Sequence, residues 1–386
     1  MLLIRNGTVV TMDRKGVLPG TDVLTDGGRI AAIGTGLSAQ GAEVIDATGR
    51  YVLPGFVDAH SHVGGFSTTG SEDEDLNEIT NPVTAELDAY YGIDPKSAAF
   101  PHIAKFGITT SCVTPGSANV ICGWALAIKS AGDSLDSRVI KDPVALKAAM
   151  GINPKGCYIG KNMMPSSRMG IAEVMREYFM KVKEYMEAKD KAKGDAKKMP
   201  KYDLAMEHGI PVLQRKIPLK VHSYQHDMMT VLRIADEFGF DVTLDHALGA
   251  SDFYDELSSS KHLRGLIYGP VGSPVLPGEL CKIDFECLAE LDRRGVLTAC
   301  MTDGPITNCH VLVDEAGEAV RHGMDPMRAL AMITINAARI IMCDRRVGSL
   351  KVGKDADMLI YTGLPTRDAA ARNLATIIDG KVVWQA

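Results

Sequence analysis

Two short β-rich ends frame a long stretch in which strands and helices alternate, and this leaves few ways for the chain to fold. Residues 2–4, 7–10, 22–24, 29–33 and 43–46 are short β-favouring runs split by Gly and Asp. The other end repeats the style, with runs at 357–361 and 375–378, an Asp379-Gly380 hairpin turn and a last run at 381–384. Neither end is long enough to bury a sheet face alone, so both are expected in one discontinuous β-sandwich domain, 1–50 plus 345–386.

Between them, strand-like runs at 51–53, 108–113, 219–222, 241–244, 265–268 and 297–299 are followed by helical stretches such as 227–238 and 326–343. Strand-then-helix alternation over this length calls for a parallel sheet with helices outside it. A (β/α)8 TIM barrel over 51–344 fits the size better than an open sheet. The lysine-rich stretch 181–201 reads as an exposed helix and loop.

Composition narrows the function. Apolar residues make up 46% and charged residues 23%, which excludes a disordered or fibrous chain. With 42 Lys and Arg against 48 Asp and Glu, the net charge of -6 lacks the basic footprint of a general nucleic-acid binder. No apolar run approaches the roughly 18 residues of a membrane helix, and the first residues carry no export-signal pattern. Eight scattered cysteines without a C-x-x-C motif suit reduced thiols. A cytoplasmic protein acting on a small molecule, bound to neither nucleic acid nor membrane, is expected, as is a homo-oligomer.

The chemistry concentrates in Pro54-Gly55-Phe56-Val57-Asp58-Ala59-His60-Ser61-His62. Residues two apart on a strand share a face, so His60 and His62 present two imidazoles to one point at the strand's C-terminal end, where a barrel keeps its active site. His222, His246 and Asp303 each end a later apolar run, and together the five suit a cage for a divalent ion. Arg168, in the loop 164–170, could fork onto a substrate carboxylate.

These residues resemble the amidohydrolase superfamily, nearest its imidazolonepropionase-like and prolidase-like branch. The segment 54–62 matches the family's entry motif, and 347–357 its return into the β domain. The resemblance covers nearly the whole chain. It implies that His60 and His62 bind metal, that His222 and His246 bind or flank it, and that Asp303 is both ligand and general acid/base. Two-metal members also carry a carboxylated lysine on the fourth strand, for which Lys147 is the match, with Lys220 as competitor; without a bridging lysine the site holds one metal. Members often have a histidine after the eighth-strand aspartate, whereas Gly304-Pro305 follow here, so one contact of that pattern is missing.

The resulting expectation is a metal-dependent hydrolase with one or two divalent ions per chain, Zn2+ first among them. Hydroxide on the metal would attack an amide, cyclic amide or peptide-like C–N bond, with Asp303 and His246 as catalytic residues. Two alternatives stand beside it, a deaminase of a cyclic amidine or aminated ring and a catalytically silent interaction protein on the same fold.

Overall fold

A computed structural model describes residues 1–38, 40–65, 75–270 and 278–386. Strands from the two ends of the chain meet in one hydrogen-bonded sheet. β1 (Leu2–Val10) pairs antiparallel with β2 (Val17–Asp26), which pairs with β3 (Arg29–Gly34). On its other side β1 runs parallel to β4 (Glu43–Asp46) and then to β5 (Tyr51–Pro54). Next to β5 come β14 (Met358–Tyr361), β15 (Asn373–Ile378) and β16 (Lys381–Gln385), all antiparallel. Alternating apolar residues of both ends, among them Ile4, Val9, Val52, Met358 and Ile377, share one buried cluster.

Residues 51–53, read above as a barrel strand, belong to this terminal sheet instead. The chain leaves it at Pro54-Gly55. A Cβ added at Gly55 would lie 2.0 Å from Thr109 Oγ1, so only glycine permits this close passage into the barrel.

The second sheet also has eight strands: β6 (Phe56–Ser61), β7 (Ile108–Val113), β8 (Ile121–Lys129), β9 (Val139–Ala149), β10 (Leu219–Ser223), β11 (Val242–His246), β12 (Leu263–Tyr268) and β13 (Thr298–Cys300). They follow one another in chain order around a nearly closed barrel. All neighbours are parallel except β8, which is antiparallel to both β7 and β9. This departs from a strict (β/α)8 alternation, and connection length explains it. Parallel strands need a crossover of a dozen or more residues, and 114–120 and 130–138 are too short for one.

Around the sheet lie helices whose apolar faces cover it, including Asp227–Phe238, bounded as expected. The stretch 326–343 forms two helices, Pro326–Met332 and Ile335–Ile340. The lysine-rich stretch lies mostly within the longer helix Arg168–Ala192. Among the described residues no helix is long and apolar enough to cross a membrane.

Between the first and last barrel strands no strand ladder forms among the described residues, and side chains close the seam instead. The buried Asp58 carboxylate accepts from Thr302 Oγ1 at 2.6 Å and from the backbone N–H groups of Thr302 and His60 at 3.2 Å. Beyond it, Asp303 N donates to His60 O at 3.2 Å and His62 N to Gly304 O at 2.7 Å. Lys129 joins barrel to terminal sheet, its buried ammonium bonding Asp355 at 2.7 Å, Asp357 at 3.1 Å and Asp379 at 2.5 Å.

Candidate metal centre

The strand period carries the site. On β9 to β11, Leu146, Val221 and Leu244 pack into the large outer core, so the intervening Lys147, Lys220, His222, Thr243 and Asp245 take the opposite face. His60 and His62 come from the end of β6, His222 and His246 from the ends of β10 and β11, and Asp303 from just beyond β13. His246 and Asp303 both have left-handed backbones, with φ of 67° and 55°. Such conformations cost energy in a non-glycine residue and gather at functional sites.

Each of three imidazoles has its Nδ1 committed. His60 Nδ1 donates to Asp245 Oδ2 at 2.5 Å, His62 Nδ1 to Thr114 O at 2.9 Å and His246 Nδ1 to Gly269 O at 3.1 Å. Acceptors at Nδ1 place the ring proton there and leave Nε2 as an electron-pair donor. The Nε2 atoms of His60 and His62 each lie 3.3 Å from Asp303 Oδ1. His60 Nε2 is buried and has no hydrogen-bond partner among the described residues. Burial lowers the His60 pKa, against the pull of Asp245, so a doubly protonated ring is disfavoured. Lone pairs of His60 and Asp303 therefore meet head-on, an arrangement that a cation between them relieves. His60, His246 and Asp303 offer ligand atoms all within 4.8 Å of one another, and this donor set fits a divalent ion.

Charge tuning agrees with that fit. Burial pushes the His246 pKa down to about 3 and that of His222 well below its ordinary value, so both rings are neutral. Burial would raise the Asp303 pKa, but the imidazoles of His60 and His62 beside it outweigh that and hold the carboxyl well below the usual range.

The structure brings His60, His62, His222, His246 and Asp303 together. The rings of His222 and His246 are 4.1 Å apart between centroids, and those of His60 and His246 are 5.3 Å apart. Lys147 is fully buried beside them, on a strand, its Nζ donating to Ser117 Oγ at 3.1 Å and Ala148 O at 3.3 Å. Ser117 Oγ also lies 3.2 Å from His222 Nδ1. Burial lowers the Lys147 pKa, which favours the free amine that can take up CO2. Lys220, the competitor, is already engaged: Nζ pairs with Asp245 Oδ2 at 2.8 Å and donates to Ala59 O at 2.9 Å.

Above the cluster opens a cavity of about 320 Å3, with Asn77, Ser117, Asn153 and Ile306 among its walls. Arg168 does not line it. Its guanidinium pairs with Asp227 Oδ1 at 2.8 Å and with Glu279. Sequence reasoning passed over Asp245, which orients His60, and Asp58 with Thr302. The signal for Asp245 was a carboxylate closing an apolar run directly before His246. Ser117 and Asn153 gave none.

Comparison with known proteins places the chain. Models of the amidohydrolase family match residues 43–94 and 283–383. A solved amidohydrolase from Thermotoga maritima MSB8 is 36% identical, with a TM-score of 0.94 over 100% of both chains. An imidazolonepropionase from Geobacillus sp. (strain WCH70) is 26% identical over 91% of this chain and 85% of its own length. The amidohydrolase tasK of Hapsidospora irregularis is 25% identical over 91% of this chain, which spans only 38% of that longer protein. Given the match across the full Thermotoga chain, the chain belongs to the amidohydrolase family, with an imidazolonepropionase among the relatives it resembles along most of its length.

Proposed function

We propose that this protein is a metal-dependent hydrolase that cleaves an amide, cyclic amide or peptide-like C–N bond. The observation that carries this reading is the convergence of His60 Nε2 and His62 Nε2 on Asp303 Oδ1, without a proton to bind His60 to it. His60, His62 and Asp303 would hold one divalent ion, and His222, His246 and a carboxylated Lys147 would complete a second position. Zn2+ suits imidazole and carboxylate ligands. When bound, the metal supplies Lewis acidity, which polarises the scissile carbonyl and lets water ionise near neutral pH.

The remaining chemistry belongs to the chain. Asp303, held ionised by His60 and His62, accepts the proton of the attacking water on its carboxylate and returns it to the departing nitrogen. His246, neutral and fixed through Nδ1, presents the lone pair of Nε2 to the same point, as a ligand position requires. Asp245 and Lys220 hold His60 in place. Asn77, Ser117 and Asn153 offer amide and hydroxyl partners to the substrate's polar edge. The substrate is a small molecule that fits the cavity at the barrel mouth. Eight free cysteines suit a reducing cytoplasm. Exposed Ile152, Ile159, Met164 and Met169 suit burial in a homo-oligomer.

The test is metal analysis of the purified protein with a screen of N-acyl amino acids, dipeptides ending in proline, hydantoins and imidazolones. Turnover that needs the metal and produces a new carboxyl group supports the reading. Ammonia release without ring opening would assign a deaminase instead, and a metal-loaded protein inert to every C–N substrate class would reject it.

A further inference from the structure

A second cavity, of about 460 Å3, lies between the barrel and the terminal sheet and shares no wall residue with the barrel mouth. That volume falls in the range of small-molecule sites, which favour domain junctions. One wall is the helix Leu312–Arg321 with His310 before it. Packed against His310 is the end of the helix Ala99–Lys105 with Phe106, and the rest is the segment 361–373 with Trp384.

Three features of these walls point to a ligand. Phe106 and His310 stack with centroids 4.6 Å apart and planes at 27°, and Tyr361 and Trp384 add further ring surface. Four basic side chains, Lys105, Arg321, Arg367 and Arg372, face two acidic ones, Asp314 and Asp368. Arg321 is paired with Glu318, whereas Lys105, Arg367 and Arg372 make no ion pair among the described residues. The third feature is Gly317, within the helix, where a Cβ would meet nothing within 4 Å. Glycine inside a helix is destabilising relative to alanine, and here it leaves the cavity open where any side chain would narrow it.

We infer that this cavity is a second ligand site, which takes a flat aromatic molecule bearing a phosphate. The ring lies against Phe106 and His310 over Gly317. The phosphate, carrying close to two negative charges at neutral pH, is met by Arg367, Arg372 and Lys105, and guanidinium forks suit its oxygens.

The probe is 1-naphthyl phosphate, which has no C–N bond to hydrolyse. It is titrated calorimetrically into the full metal-loaded chain, with Trp384 fluorescence as a second readout. Inorganic phosphate and 1-naphthol serve as its two halves. The expected result is affinity at least tenfold tighter than either half. Gly317→Leu, which fills the cavity from a wall with space to spare, should weaken binding at least tenfold. The double change Arg367→Gln with Arg372→Gln, on exposed residues, should do the same. Phosphate held at the metal centre would survive both. Binding no tighter than that of inorganic phosphate, or unaffected by either variant, overturns the assignment. Should Gly317→Leu fail to fold, the arginine pair decides alone.

Discussion

Asp245 Oδ2 receives His60 Nδ1 at 2.5 Å and Lys220 Nζ at 2.8 Å, so one buried oxygen ties a lysine of β10 to a histidine of β6 across the barrel interior. Burial would raise the Asp245 pKa, but the Lys220 charge and the His60 bond outweigh it and keep the carboxylate ionised. Asp245→Asn keeps the shape but removes the charge that holds the ring. Metal affinity should fall roughly 10- to 100-fold, the usual cost of losing a partner behind a metal ligand. Competition with a chromophoric chelator measures it, and an unchanged affinity would show that His60 needs no such support.

Asp303→Asn separates proton transfer from metal binding. The amide oxygen can still coordinate, yet it cannot take a proton from water, so turnover should drop roughly 10²- to 10⁴-fold while much of the metal stays. Parallel steady-state kinetics and atomic absorption read the two effects, and loss of both together would make Asp303 chiefly a ligand.

Lys147 decides the metal count. Carboxylated, it contributes a negative charge and two oxygens where a free ammonium would repel cations. Lys147→Ala should lower metal content from two equivalents toward one, and short carboxylic acids in the buffer should restore part of it. If metal content and activity both stay at the wild-type level, the site is mononuclear and Lys147 is scaffold.

At the junction of the two sheets, burial raises the Asp357 pKa from 3.8 to about 6, against the opposing pull of Lys129. The folded pKa lies above the unfolded one, so this group's contribution to stability is full below about pH 4 and is lost as pH climbs through about 6. The shift corresponds to ~3 kcal/mol. Asp357→Asn removes the titration, so its melting temperature relative to wild type should rise between pH 4 and pH 7. Parallel melting curves across that range would argue that the carboxyl is not perturbed.

What could be read from the sequence was local. His60 and His62 were legible because strand period two puts them on one face, and His222, His246 and Asp303 because each breaks an apolar run at a strand end. Asp245 as a partner of His60 was not, since that contact joins β11 to β6 and no local pattern encodes it. The direction of β8 escaped for another reason. Its residues read like any buried strand, and only the short connections at 114–120 and 130–138 said that it must run backwards. Tyr51 to Leu53 went to the wrong sheet because an apolar run does not reveal its neighbours. The break at Gly55, with Thr109 pressed against it, was the boundary mark. Arg168 showed a guanidinium but not the two carboxylates that hold it.

The seam between β6 and β13 also orders events during synthesis. Two proposed ligands, His60 and His62, emerge early from the ribosome, whereas Asp303 and its neighbour Thr302, which grips Asp58, emerge only after all eight barrel strands have been made. A growing chain can therefore present four imidazoles but no completed cage, and an ion held by His60, His62 and Asp303 would have to wait for Asp303 to join them. Such an ion would bridge the joint between the first and last barrel strands, so its occupancy would report on whether the barrel has closed.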